Sequence, residues 1–144
     1  MRVVLLLSFC FLYFFPISLF SEEKITIDNL TLHIQPSDPP RNMSNGFIPD
    51  ASRLLYSTDL KKFGFESIET AILFETSLSP SNLVIYYDVL LKGMDWRILQ
   101  KETNSNQNLF LAESPGKRNI FTILISPLGS GSLVKLFNKK QTNY

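Results

Sequence analysis

The chain predicts an α+β fold: a curved antiparallel sheet of about five to six strands, with one amphipathic helix packed on one face. Three observations carry that expectation. One segment, Ser79–Lys92, combines helical periodicity with signals at both ends. The segments around it alternate apolar and polar residues, the pattern of half-buried strands. The loops between the last strands are short, which implies a meander of antiparallel neighbours.

In chain order, Ile25-Thr26-Ile27 and Leu30-Thr31-Leu32-His33-Ile34 flank Asp28-Asn29 and read as a short hairpin, or as one strand bulged at the Asp-Asn pair. From Gln35 to Pro49 come four prolines with Ser, Asn, Asp and Gly, a loop or linker. Residues 22–46 are thus expected to form an N-terminal arm and Pro-rich linker, and 47–138 a single α+β domain. Arg53–Ser57 is a short strand, followed by a charged loop over Thr58–Gly64. Glu66–Ser77 is a longer strand, with Ile68, Thr70, Ile72, Phe74 and Thr76 on one face and Glu69, Leu73 and Glu75 on the other.

Ser79 is a suitable N-cap and Pro80 occupies the first helical position, where its missing N–H costs nothing. Leu83, Tyr86, Tyr87, Leu90 and Leu91 line one face, while Asn82, Asp88 and Lys92 mark the wet side. Gly93 is expected to supply the left-handed stop. Strands follow at Trp96–Lys101, Leu109–Glu113, Ile120–Ser126 and Leu133–Phe137, the last after the turn Gly129-Ser130-Gly131. Residues 139–144, with Lys139-Lys140, read as a polar tail.

The first 21 residues have the layout of an export signal. Arg2 precedes an apolar run from Val3 to Phe20, and composition changes abruptly at Ser21-Glu22-Glu23-Lys24. Cleavage before Glu22 leaves Ser21 at the −1 position. The run also reaches the roughly 18 residues at which a retained anchor becomes feasible. Either way Arg2 stays inside and the rest is delivered outside, to the periplasm or outer envelope. Membrane contact is expected only through this segment, if it is retained. Cys10 lies within it, so a cleaved chain carries no disulfide, thiolate metal site or cysteine nucleophile.

Without Arg2 the 14 basic residues become 13, against 13 acidic ones. Such a balance gives no electrostatic footprint for nucleic acid. The catalytic inventory is thin. His33 is the only histidine, and no G-x-S-x-G, S-x-x-K or H-E-x-x-H motif is present. Glu69 and Glu75 share a face but stand about 20 Å apart at strand rise, too far for a paired-carboxylate mechanism. Gly129-Ser130-Gly131 precedes a strand, so it is a turn and not a phosphate cradle. No catalytic, metal or cofactor residues are assigned, and no cofactor is expected.

Two candidate binding features remain. Tyr86, Tyr87 and Trp96 are aromatics that serve either as core or as the lining of a pocket between helix and sheet, for a small apolar ligand such as a lipid or glycan. Exposed strand edges could instead add a strand from a partner, at the arm Ile25–Ile34 (Leu30, Leu32) or the last strand Leu133–Phe137 (Leu133, Lys135).

Ile48-Pro49-Asp50-Ala51, the strand with Phe74-Glu75-Thr76, and the run from Val84 through Tyr86-Tyr87 to Gly93-Met94-Asp95-Trp96 together resemble a group of small exported bacterial envelope proteins, spirochaete-like in composition. In those chains a Pro-x-Ala start leads to a strand, a helix with an aromatic pair, and a Gly-Trp strand start. This chain departs by inserting Met94-Asp95 between Gly93 and Trp96. The resemblance implies an envelope location and a helix-on-sheet fold, with no activity attached. The expectation is a non-enzymatic envelope protein with a protein partner; the ligand pocket is the alternative.

Overall fold

The computed structural model describes residues 21–44, 46–62 and 67–141. The expected export signal, apart from Ser21, lies outside them. In chain order the elements are β1 (Glu23–Ile27), β2 (Leu30–Ile34), β3 (Arg53–Lys62), β4 (Ser67–Thr76), α1 (Pro80–Gly93), β5 (Arg97–Thr103), β6 (Asn108–Glu113), β7 (Asn119–Leu128) and β8 (Gly131–Gln141). All eight strands form one open sheet in the order β1-β2-β3-β4-β8-β7-β6-β5, every neighbouring pair antiparallel.

The α+β class and the single helix are as expected, but the sheet is wider. Six strands belong to the segment after the Pro-rich loop, and the N-terminal hairpin adds two by pairing β2 along β3, from Leu30↔Leu60 to Ile34↔Tyr56. Asp28, in the left-handed region, makes the tight β1–β2 turn. Arg53–Ser57 was expected to end in a charged loop; instead β3 continues to Lys62. Its charged residues do not end it because they alternate. Thr58 and Leu60 share one face and Asp59 and Lys61 the other, where Asp59 accepts from the Thr70 hydroxyl at 2.7 Å. Lys139 and Lys140, expected in a tail, lie in β8, which pairs with β4 out to Gln141.

α1 is a crossover. Four antiparallel steps separate β4 from β5 in the sheet, so the two run in the same direction and the chain must return between them. The helix makes that return over the β5–β7 half of one face. Its N-cap is Ser79, whose side chain accepts from the Asn82 N–H at 3.3 Å, with Pro80 following. Gly93 is not the left-handed stop. It remains helical, Met94 caps the helix through its N–H to the Leu90 carbonyl, and Asp95 takes the positive φ of 55°.

Between helix and sheet lies the core. Leu83, Tyr87 and Leu91 meet Phe110, Ala112, Phe121, Ile123 and Ile125, and the layer continues over Val134, Leu136, Ile72 and Phe74. Gly131 begins β8 so close to β4 that a Cβ there would stand 2.2 Å from the Thr76 carbonyl oxygen. Beside it Ser132, buried, donates to the Leu78 carbonyl at 2.8 Å, tying the start of β8 to the approach to α1.

Candidate functional site

The aromatic cluster forms around a residue contributed by the loop before β3. Phe47 is fully buried between α1 and the sheet, its ring stacked on Phe121 at 4.1 Å between centroids and edge-on to Trp96 at 5.4 Å. Tyr87 packs beside Phe110 and donates its hydroxyl to the Phe47 carbonyl at 2.8 Å. Tyr86, one step round the helix, donates to the Gly46 carbonyl. Both phenols are held in the neutral form. Burial raises the pKa of Tyr86, with the Asp50 carboxylate adding to it, and burial pushes that of Tyr87 far higher, with Tyr86 adding a little.

Tyr86, Tyr87 and Trp96 are therefore brought together, but not around a pocket. The space expected beneath the helix is filled by the Phe47 ring, so these three residues are packing and tethering groups. The reason is tertiary: a loop residue 40 positions upstream supplies the plug, and no helical periodicity reports on it.

The edge assignments also change. Leu133 and Lys135 lie on β8, which pairs with β4 on one side and β7 on the other, a central strand. Its late place in the chain suggested an edge, but the α1 crossover leaves a gap beside β4 that β8 fills. Leu30 and Leu32 lie on β2, one strand in, covered by β1. The true edges are β1 and β5. The β5 edge carries features that discourage pairing: a bulge at Leu99 between Ile98 and Gln100, and charged residues engaged in place, Arg97 with Glu113 at 2.6 Å and Lys101 with Asp88. By contrast β1, Glu-Lys-Ile-Thr-Ile, has no proline and no register break, and all five side chains are exposed. Ile27 is 65% exposed.

A polar cleft of about 480 Å³ lies where the Pro-rich loop folds over the sheet beside β2 and β3. Glu22, His33, Asp38, Arg41, Asp59 and Lys61 line it, with His33 Nδ1 2.8 Å from the Glu22 carboxylate. Sequence reasoning treated this loop as a linker and His33 as an isolated residue. The only local signal was the alternation that sets His33, Asp59 and Lys61 opposite the apolar residues of their strands. Three acidic and three basic or imidazole side chains balance each other there, so the cleft offers no single-sign field. Among the described residues no group of three or more His, Cys, Asp or Glu side chains is placed to hold a metal ion, and no helix is long and apolar enough to cross a membrane.

No family model, curated protein or solved structure matches this chain.

Proposed function

We propose that the protein is a non-enzymatic accessory module, exported to the periplasm or outer envelope, that captures a protein partner by strand addition. The observation that carries this reading is β1: an unbroken edge strand with every side chain exposed, on an eight-stranded sheet whose opposite edge is bulged and salt-bridged. An unpaired edge offers a row of backbone donors and acceptors that an extended segment can satisfy, and alternating side-chain contacts supply selectivity. Ile25 and Ile27 point to the same face as Leu30 and Leu32, so an added strand would gain an apolar seam beside its hydrogen bonds.

The test is capture by crosslinking from the envelope of the native host, comparing the tagged full chain with Ile25→Lys/Ile27→Lys. Lysines on an edge strand oppose pairing with a further strand while leaving the β2–β3 register untouched. A single dominant protein crosslinked by the parent and lost from the folded variant supports strand addition. Equal recovery with both proteins refutes it.

A further inference from the structure

The face of the sheet opposite α1 does not look like a surface made for water. An antiparallel sheet with one solvated face normally turns polar residues outwards on that side. Pairing register defines what this sheet turns outwards, because directly opposed residues share a face. One row runs Ile27–Leu30–Leu60–Glu69–Lys139–Ile120–Glu113–Arg97 across all eight strands. The next runs Ile25–Leu32–Thr58–Ala71–Phe137–Thr122–Leu111–Gln100, and a third runs Glu23–Ile34–Tyr56–Leu73–Lys135–Leu124–Leu109–Glu102, apolar except at its two ends and at Lys135. No described element covers these rows, and Phe137, near the middle, is 46% exposed. Beside it a shallow concavity of about 400 Å³ is lined by Leu60, Ala71, Ile120 and Thr122.

We infer that this face is covered by the same face of a second copy, making a two-fold sandwich. The charges on it favour a copy of itself over a charged partner. Arg53 pairs with Glu75 at 2.6 Å, Arg97 with Glu113 at 2.6 Å and Lys139 with Glu69 at 3.7 Å, and Glu23, Lys135 and Glu102 leave the three rows close to neutral. The area is also sufficient. Eight strands at about 4.8 Å spacing and three rows of side chains span on the order of 700 Å² before side-chain relief is counted. A stable interface needs about 800 Å² of accessible surface per partner.

Self-complementarity follows from the register. Face-to-face sheets pack within about 30° of alignment. A dyad along the strands between β4 and β8 therefore sets each row against the same row of the second copy. Near that axis Phe137 lies over the second copy's Ala71, a large outward side chain against a small one. Lys139 meets the second copy's Glu69, which joins the two ion pairs into a four-membered ring. Beside the axis Lys135 lays its alkyl stem over the second copy's Leu73, and further out Leu60 faces Ile120 and Leu32 faces Leu111. An isologous contact requires such reciprocity, residue i on j and j on i. The backbone edge of β1 stays free in this arrangement, but Ile25 and Ile27 lie within the covered rows, so the Ile25→Lys/Ile27→Lys variant bears on both readings and Phe137→Asp on this one alone.

The test is light-scattering mass after gel filtration of the full chain expressed in an exporting host, between about 1 and 100 µM. Twice the chain mass is expected for the parent. Phe137→Asp, with an unchanged circular dichroism spectrum, is expected to run at one chain mass, and Val89→Asp on the outer side of α1 to stay at two. If Phe137→Asp does not fold, Ala71→Arg, which fills the opposing position with a charge, serves in its place with the same expectation. A parent that remains one chain mass at 100 µM overturns the proposal, as does a dimer indifferent to both substitutions. So does a monomer that floats with neutral phosphatidylcholine vesicles, which would assign the face to lipid.

Discussion

Phe47→Ala isolates the role of the loop before β3. The ring is fully buried, stacked on Phe121 and edge-on to Trp96, and it reaches the core from outside any helix or strand. Deleting a buried phenylalanine costs about 3–5 kcal/mol in transfer and cavity terms, and this site sits at the upper end because helix and sheet cannot close over the gap. The lost aromatic pairs are included in that range, since each is worth only about 0.5–1.5 kcal/mol beyond area burial. With a urea m-value of about 2 kcal/mol/M, the midpoint should fall by about 2 M. Urea unfolding followed by Trp96 emission is the assay, because Trp96 touches the plug and is the only tryptophan. Val89→Ala, at a residue 66% exposed on α1, is the reference and should shift the midpoint by no more than a few tenths. If the two substitutions gave equal shifts, Phe47 would not be part of the core, and the filled space beneath the helix would have to be reconsidered as a cavity.

Gly131→Ala should destabilise by about 2–3 kcal/mol, because the new Cβ meets backbone and not a side chain that can swing away; thermal melts compared with Gly129→Asn, which keeps a left-handed residue in the turn, will separate crowding from turn geometry. Both tyrosines have folded pKa values raised by burial, so the folded state holds protons that the unfolded chain releases above about pH 10. Their contribution is therefore fully present below pH 10 and lost as pH rises beyond it, and alkaline unfolding should begin there, with Tyr87 absent from the tyrosinate absorbance at 295 nm until unfolding.

Local chemistry was legible wherever neighbours in sequence decide the outcome. Ser79 and Pro80 start the helix as their side chains dictate, and the β4 alternation from Thr70 to Thr76 matches the buried face residue for residue. Gly129-Ser130 makes the turn expected of it, and Asp28-Asn29 makes the hairpin turn that was one of its two readings. The helix stop was read one turn element early, because Gly93 tolerates a left-handed conformation without requiring it, and Asp95 takes that role. The candidate site was less legible. Tyr86, Tyr87 and Trp96 were recognised as a group, yet whether they enclose space depends on Phe47, whose own neighbours are loop residues with no periodicity.

The sequence by itself determined the α+β class, the single helix and its buried stripe, and where most strands begin, since each rests on side-chain period or backbone preference over a few residues; where β3 and β8 end was set by their neighbours in the sheet. Only the tertiary structure decided strand order. With α1 carrying the chain from β4 to the far edge, the last strand is drawn into the gap beside β4, where both its rows of backbone groups find partners. That closure makes Leu133 and Lys135 central, leaves β1 as the open edge, and aligns the outward leucines, isoleucines and Phe137 of separate strands into one continuous face. Strand order comes from contacts between residues far apart in the chain, and no window of sequence contains them.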